Sequence, residues 1–295
     1  MWKYVLLLLS VYLLGWLPAR VLYGLANLTG ELAYILFVRV RHNVWDNMRH
    51  VMGPAAPNAE LRRAARQVFR NTARYYVDLI SRPRLDAQRF YERQLIHYGL
   101  EENLLAPLKQ GKGVVLASGH FGDAELVIQG LLPLGVKALA LTEPLDPPAL
   151  SRLVHRLRSS TGHTFLPVSL SNVKATLRYL KAGGTVALMC DRDIEGRSLR
   201  VPFFGLPASM PVGAVELAMR TGAALVPTFS HRRSGNHYEV FAEPPVDLAR
   251  TGDPQADLKT NVCRLLQRFE PHLRNDPGQW TVLEAVWEDS KTEER

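Results

Sequence analysis

From Gly113 to its last helix the chain alternates short apolar runs with longer amphipathic ones, and that alternation limits its fold more than any other feature. Val114–Ala117, Lys137–Leu141, His163–Val168, Thr185–Cys190, Ala224–Phe229 and Tyr238–Ala242 have the length and branching of strands. Ala124–Leu132, Pro148–Thr161, Ser171–Ala182, Pro211–Thr221 and Gln255–Leu273 repeat apolar residues at helical spacing. Strand and helix in turn predict an α/β fold, a mostly parallel central sheet flanked by helices, because a parallel strand is regained only through a crossover. Ser234-Gly235-Asn236 predicts a hairpin turn, and Trp280–Leu283 an edge strand. The two cysteines, Cys190 and Cys263, make neither a disulfide framework nor a CxxC metal signature.

Two apolar stretches precede this pattern. Trp2–Leu17 is followed by Pro18 and Arg20, and Val21–Val38 is broken by Gly24, Asn27, Gly30 and Glu31. Arg39, Arg41 and His42 come next and belong on the cytoplasmic side by the positive-inside rule. Residues 1–40 are therefore expected to be a membrane-associating helical anchor, spanning the bilayer or lying in one leaflet. Residues 41–288 make the α/β domain, and 289–295 a charged tail. Asn43–Met52 predicts an amphipathic helix stopped by Gly53-Pro54, and Asn58 an N-cap for a helix through Ile80. Arg62, Arg63, Arg66, Arg70 and Arg74 make much of that second helix cationic. The net charge of +8 suits nucleic acid, an anionic membrane surface or a phosphate-bearing substrate. The basic residues lie on amphipathic helices, with no helix-turn-helix, RRM or zinc signature. Nucleic acid is thus not an expected partner, whereas an anionic membrane surface is.

Sites in open α/β sheets lie at the C-terminal ends of strands. Two strands here end in polar clusters, Ser118-Gly119-His120 and Cys190-Asp191-Arg192-Asp193. Parallel strands would bring both to one edge, where a His held by a carboxylate makes a good general base. His120 and Glu125 are five residues apart, about 140° around a helix, so they can face each other only if His120 precedes the helix. Gly119 and Gly122 permit the turn this needs.

Gly119-His-Phe-Gly-Asp-Ala-Glu125 resembles the H-x4-D/E motif of membrane-associated glycerolipid and lipid A acyltransferases. The stretch from Asp191 to Gly213, with Asp-Arg-Asp and Val-Pro-Phe-Phe-Gly, extends the likeness, as do Val44–Val51 and Thr221–Pro227. Together they resemble the bacterial lipid A biosynthesis acyltransferase family, which includes lauroyl, myristoyl and phosphatidylinositol mannoside acyltransferases. The Arg-rich helix and Asp191-Arg-Asp-Ile lean toward the mannoside enzymes. The resemblance implies a glycerolipid acyltransferase-like fold at the cytoplasmic (inner) membrane, with the catalytic domain facing the cytosol. It implies acyl transfer from acyl-CoA or acyl carrier protein, used as co-substrate without a cofactor or metal, to a hydroxyl of a lipid acceptor. His120 matches the base and Glu125 its acidic partner, while Asp191 or Asp193 could pair with His120 instead. Arg192 and Arg200 would meet phosphates. Phe203, Phe204 and Gly205 would line the acyl or headgroup pocket, and the Gly119 and Gly122 amides are candidate oxyanion donors. No GxSxG elbow is present, as direct transfer from a thioester allows. Two rival readings stand beside this one. A metal-dependent phosphohydrolase would gather His120, Asp123, Glu125, Asp191 and Asp193 around a cation, and a non-enzymatic basic membrane-surface protein would use none of them.

Overall fold

The structure, a computed structural model, describes residues 17–193 and 196–287. The expectations for 1–16 and for the tail 289–295 lie outside the described residues. Among the described residues nine strands form: β1 (Leu95–Tyr98), β2 (Val114–Ser118), β3 (Ala138–Thr142), β4 (Thr164–Pro167), β5 (Thr185–Met189), β6 (Ser198–Phe203), β7 (Leu206–Pro211), β8 (Ala224–Arg232) and β9 (Tyr238–Ala242). Seven make one sheet in the order β1-β9-β8-β2-β5-β3-β4. The central five run parallel, and β9, antiparallel to β8, reverses the direction at the β1 edge. The mostly parallel sheet is as expected, and so is the turn at Ser234–Asn236.

Both faces of the sheet are covered. On β2, Val115 and Ala117 enter the main core while Val114 and Leu116 enter a second one. This is why the strand reads as an unbroken apolar run rather than an alternating one. The helices are α1 (Ala19–Leu36), α2 (Val38–Met52), α3 (Asn58–Ser81), α4 (Ala87–Gln94), α5 (Ala124–Val127), α6 (Pro148–Arg158), α7 (Leu170–Lys181), α8 (Gly213–Thr221) and α9 (Pro254–Asn275), apart from shorter helical turns.

Several expectations are corrected. The helix predicted over 124–132 is one α turn that tightens into a 3-10 run, Ile128–Leu134, where Pro133 cannot donate to an α ladder. Asn58 starts α3 but does not cap it; Pro57 holds the cap position without a side-chain bond. Trp280–Leu283 is not a strand, since only a single bridge joins Trp280 to Phe121. The β6–β7 hairpin was hidden by its prolines, which a two-stranded ribbon tolerates along its outer edges. Phe204 and Gly205, at φ 52° and 78°, are its turn.

At the N-terminal end, α1 packs on α3 through Leu22, Ala26, Gly30 and Tyr34, a stripe at every fourth residue. The opposite face of α1 is also apolar but exposed, with Val21, Leu25, Leu28, Leu32, Ile35 and Leu36. Among the described residues no single helix is long and apolar enough to cross a membrane; α1 and α2 pass that test only together, bent by 97° at their junction. Close approach of α1 to α3 depends on Gly30, where a Cβ would lie 2.7 Å from the Arg70 Cα. Gly30→Leu overfills this contact at a cost of about 1–3 kcal/mol. We expect a Tm lower by roughly 3–10 °C and faster proteolysis at the α1–α2 junction; an unchanged Tm would contradict the packing described.

Candidate active site

Strands β2 and β5 are neighbours in parallel register, with Ser118 opposite Met189. The two residues that follow each strand are therefore level, and they are Gly119-His120 and Cys190-Asp191. His120 Nδ1 lies 2.8 Å from Asp191 Oδ1, and the His120 amide donates to Asp191 Oδ2 at 2.6 Å. Trp280 Nε1 donates to the same Oδ2 at 2.8 Å. Asp191 is fully buried, whereas the His120 side chain is 29% exposed. An ionised carboxylate only accepts, so Nδ1 carries the proton and Nε2 is left as the basic nitrogen. Burial would lower the His120 pKa, but the Asp191 charge and hydrogen bond outweigh it and hold the imidazole above its usual 6.5. Asp191 is likewise raised by burial and brought below its usual range by His120 and Trp280.

The loop is clamped on both sides. Thr281 donates its amide and its hydroxyl to the His120 carbonyl, at 2.7 and 3.0 Å. Ser230 Oγ donates to the Phe121 carbonyl at 3.0 Å and accepts the Asp123 amide at 3.1 Å. The Gly122 amide donates to the Gln279 carbonyl at 3.0 Å, so Gly122 as oxyanion donor is corrected: its N–H is committed. Its glycine is required for another reason. At φ 64° its Cβ would fall 1.9 Å from the Ser230 carbonyl oxygen. A Cβ at Gly119 would crowd Asp191 Oδ2 at 2.9 Å, so glycine there lets the carboxylate approach.

Neither Glu125 nor Asp193 is the carboxylate on His120. Glu125 sits at the start of α5 and turns to Arg158, 2.7 Å away, with Arg82 at 3.4 Å and Tyr75 donating at 3.1 Å. Burial would raise its pKa, but Arg158 and Arg82 bring it below its usual 4.5. Asp193 accepts the Gly196 amide at 3.0 Å in the following turn. Asp123 caps α5 through the Leu126 amide. Burial and the nearby Asp78 raise the Asp123 pKa to about 8. Of the five side chains that the metal reading required, His120 and Asp191 bind each other while Asp123, Glu125 and Asp193 turn to other partners, and among the described residues no three His, Cys, Asp or Glu could hold a metal.

His120 opens onto a cavity of about 750 Å³. Leu100, Leu104, Leu116, Ile128, Leu131, Phe165, Val173, Leu177, Leu188 and Leu217 give it a largely apolar lining. Glu143, Arg192, Arg197, Arg220 and Glu284 line a polar part, while Thr72, Tyr75 and Tyr76 of α3 bring the cavity to the helix that carries α1. Arg192 is already held by Glu284 and Glu143, at 2.6 and 2.9 Å. Arg200 is exposed on β6, outside the cavity lining. Phe203, Phe204 and Gly205 do not line the cavity either. Phe203 is fully buried and stacks on Trp287 at 5.6 Å, which places it in the core beneath the hairpin.

The residues that fix the site from a distance were not anticipated. Asn47 in α2 is fully buried and donates to the Glu284 carbonyl at 2.8 Å, while its Oδ1 accepts the Val286 amide at 3.2 Å. It pins the segment that carries Trp280 and Thr281. The available signal was a polar residue on the apolar stripe Val44, Met48, Val51.

A His–Asp pair at the carboxyl edge of a mostly parallel sheet, its carboxylate buried and its imidazole open to a largely apolar cavity, defines a protein that can take a proton from a group bound there. The chain belongs to the bacterial lipid A biosynthesis acyltransferase family, whose profile matches residues 1–289, and it is an acyltransferase of that family. It is 28% identical over 257 residues to the phosphatidylinositol mannoside acyltransferase of Mycobacterium tuberculosis strain CDC 1551, covering 84% of this chain and 78% of that protein. It is 28% identical over 254 residues to the enzyme of the same name in Mycolicibacterium smegmatis, covering 84% and 80%.

The network around Glu125 yields a stability test. Its lowered pKa means that this carboxylate stabilises the fold above about pH 4.5 and that the contribution is lost as pH falls through the lower folded value. Glu125→Leu leaves the Arg158 and Arg82 cations buried without it, at roughly 3–5 kcal/mol. We expect a Tm fall of ~10 °C at pH 7 that shrinks only as pH drops below about 4.5, measured by calorimetry; a fall that does not depend on pH would contradict the assignment.

Proposed function

We propose that the protein moves a fatty acyl chain from an acyl thioester to a hydroxyl of a lipid-linked acceptor, with His120 as general base. The observation that carries this reading is the Asp191-held imidazole opening onto the apolar cavity. Its Nε2 takes the proton of the acceptor hydroxyl as the oxygen attacks the thioester carbonyl. The new C–O bond gives a tetrahedral oxyanion, whose collapse breaks the C–S bond, and the imidazolium returns its proton to the leaving thiolate. Asp191 steadies the imidazolium between these steps without itself taking a proton. No acyl-enzyme and no cofactor are needed, because the thioester is already activated.

The apolar lining of the cavity suits the acyl chain, and its charged residues suit the phosphates of donor or acceptor. Arg220 there has no carboxylate partner among the described residues, and Arg192 would meet a phosphate by exchanging one of its two. The names of the mycobacterial relatives favour a phosphatidylinositol mannoside acceptor over a lipid A precursor. The donor is acyl-CoA or acyl carrier protein. The exposed apolar face of α1 and the net charge of +8 favour a place at the cytoplasmic membrane, with the site facing the cytosol.

The test is to incubate the full chain with acyl-CoA and with acyl-ACP against phosphatidylinositol mannosides and lipid A precursors, in chelator, and read masses. We expect one acyl mass gained in chelator and a loss of roughly 10³-fold or more in His120→Ala. No gain with any pair of donor and acceptor, or activity that chelator abolishes, would overturn the reading.

A further inference from the structure

Where α1 ends and the chain turns through 97° into α2, an open pocket lies outside the active-site cavity. It is lined by Tyr34 and Ile35 of α1, Arg41, His42 and Trp45 of α2, and Arg62 and Arg66 of α3. Its floor is fixed in advance. Arg41 Nη1 donates to the Tyr34 and Ile35 carbonyls at 3.0 and 3.2 Å, capping α1. Trp45 Nε1 donates to the Tyr34 hydroxyl at 3.1 Å, and the Arg41 and Arg66 guanidinium groups lie 5.4 and 5.8 Å from the Tyr34 ring centroid. Arg66 is paired with Glu31 at 2.5 Å, whereas Arg62 and His42 have no ion-pair partner among the described residues. Three arginines and a histidine thus face one pocket, with one carboxylate between them.

The pocket also has an apolar rim. Ile35 is shared between it and the exposed row Leu28, Leu32, Leu36, Phe37 and Val38. Apolar surface and guanidinium groups side by side match the boundary of a bilayer, where hydrocarbon and phosphate lie next to each other. A soluble anion would have no use for the first, and a neutral apolar partner none for the second.

We propose that this pocket binds the phosphate of an anionic phospholipid while the outer face of α1 rests in the adjoining hydrocarbon. The bilayer is thereby held against α3, whose Thr72, Tyr75 and Tyr76 reach the active-site cavity. This rests on the reading that the acceptor is a membrane lipid, and it adds the surface through which the protein reaches that membrane.

Flotation of the full chain with vesicles tests it, using phosphatidylcholine alone and phosphatidylcholine with one-third phosphatidylglycerol. We expect firm binding only to the anionic vesicles. Arg62→Glu should weaken it roughly thirtyfold, since each cation at an anionic surface contributes about 1 kcal/mol and reversal counts twice. Arg93→Glu, an equal charge reversal on exposed α4, should change it less than about twofold. Equal losses in the two variants would mean diffuse attraction and overturn the site, as would unchanged binding in Arg62→Glu. Release of the protein from vesicles by millimolar glycerol 3-phosphate would reassign the pocket to free anions and overturn the lipid as occupant. No acyl donor is present, so this outcome is separate from acyl transfer, which wild-type protein either performs or does not on detergent-dispersed acceptor.

Discussion

The parallel pairing of β2 with β5 is the constraint on which the rest depends. Register sets Ser118 beside Met189, and two residues further each chain delivers one half of the pair, His120 and Asp191. Strands in a sheet lie about 4.8 Å apart, so a side chain from each can meet across the gap only if both turn at the same level. A slip of one residue would turn every side chain of the strand to the opposite face. The buried charge at Asp191 is tolerable because three donors surround it: the His120 ring, the His120 amide and Trp280 Nε1.

Around that pair the fold works as a vice. Ser230 on β8 holds the loop from one side, and Gln279, Trp280 and Thr281 hold it from the other. The second jaw is itself fixed by Asn47 of α2 and by Asn71 of α3, which donates to the Gly278 carbonyl at 2.9 Å. The helices at the N-terminal end and the last segment before residue 288 therefore meet at the site. A base held this way keeps its orientation without reorganising as charge develops on it. The same α3 carries Tyr75 and Tyr76 into the cavity and Arg62 and Arg66 into the basic pocket, so one helix joins the chemistry to the surface on which lipid would lie.

Much of this was legible in the sequence because it rests on local patterns. Val114–Ala117 and Thr185–Cys190 announce themselves as buried strands, and the polar residues that end them mark the sheet edge. The choice of carboxylate was not legible. Glu125 is adjacent in sequence and fits the motif, but its charge answers Arg158 and Arg82, which come from α6 and from the turn after α3. Asp191 and Asp193 stand two residues apart along an irregular turn, and only the register decides which of them meets His120. Phe203 and Phe204 read as pocket residues because aromatics beside a candidate site invite that assignment. The hairpin that puts Phe203 against Trp287 is a pairing of β6 with β7 that prolines conceal. Thr281 and Trp280 could not be found from their neighbours, since their roles arise from contacts 161 and 89 residues away in sequence.

The pH dependence of kcat/KM for acyl transfer tests the central claim most directly, compared between wild type, Asp191→Asn and Glu125→Gln. The neutral imidazole is the base, so the rate falls as pH drops through the His120 pKa, which Asp191 holds above 6.5. The account predicts an acid limb centred above 6.5 in wild type and in Glu125→Gln. In Asp191→Asn that limb moves to lower pH, and the plateau falls by something on the order of 10²–10⁴. An acid limb that stays in place in Asp191→Asn, or one that moves in Glu125→Gln instead, would contradict it.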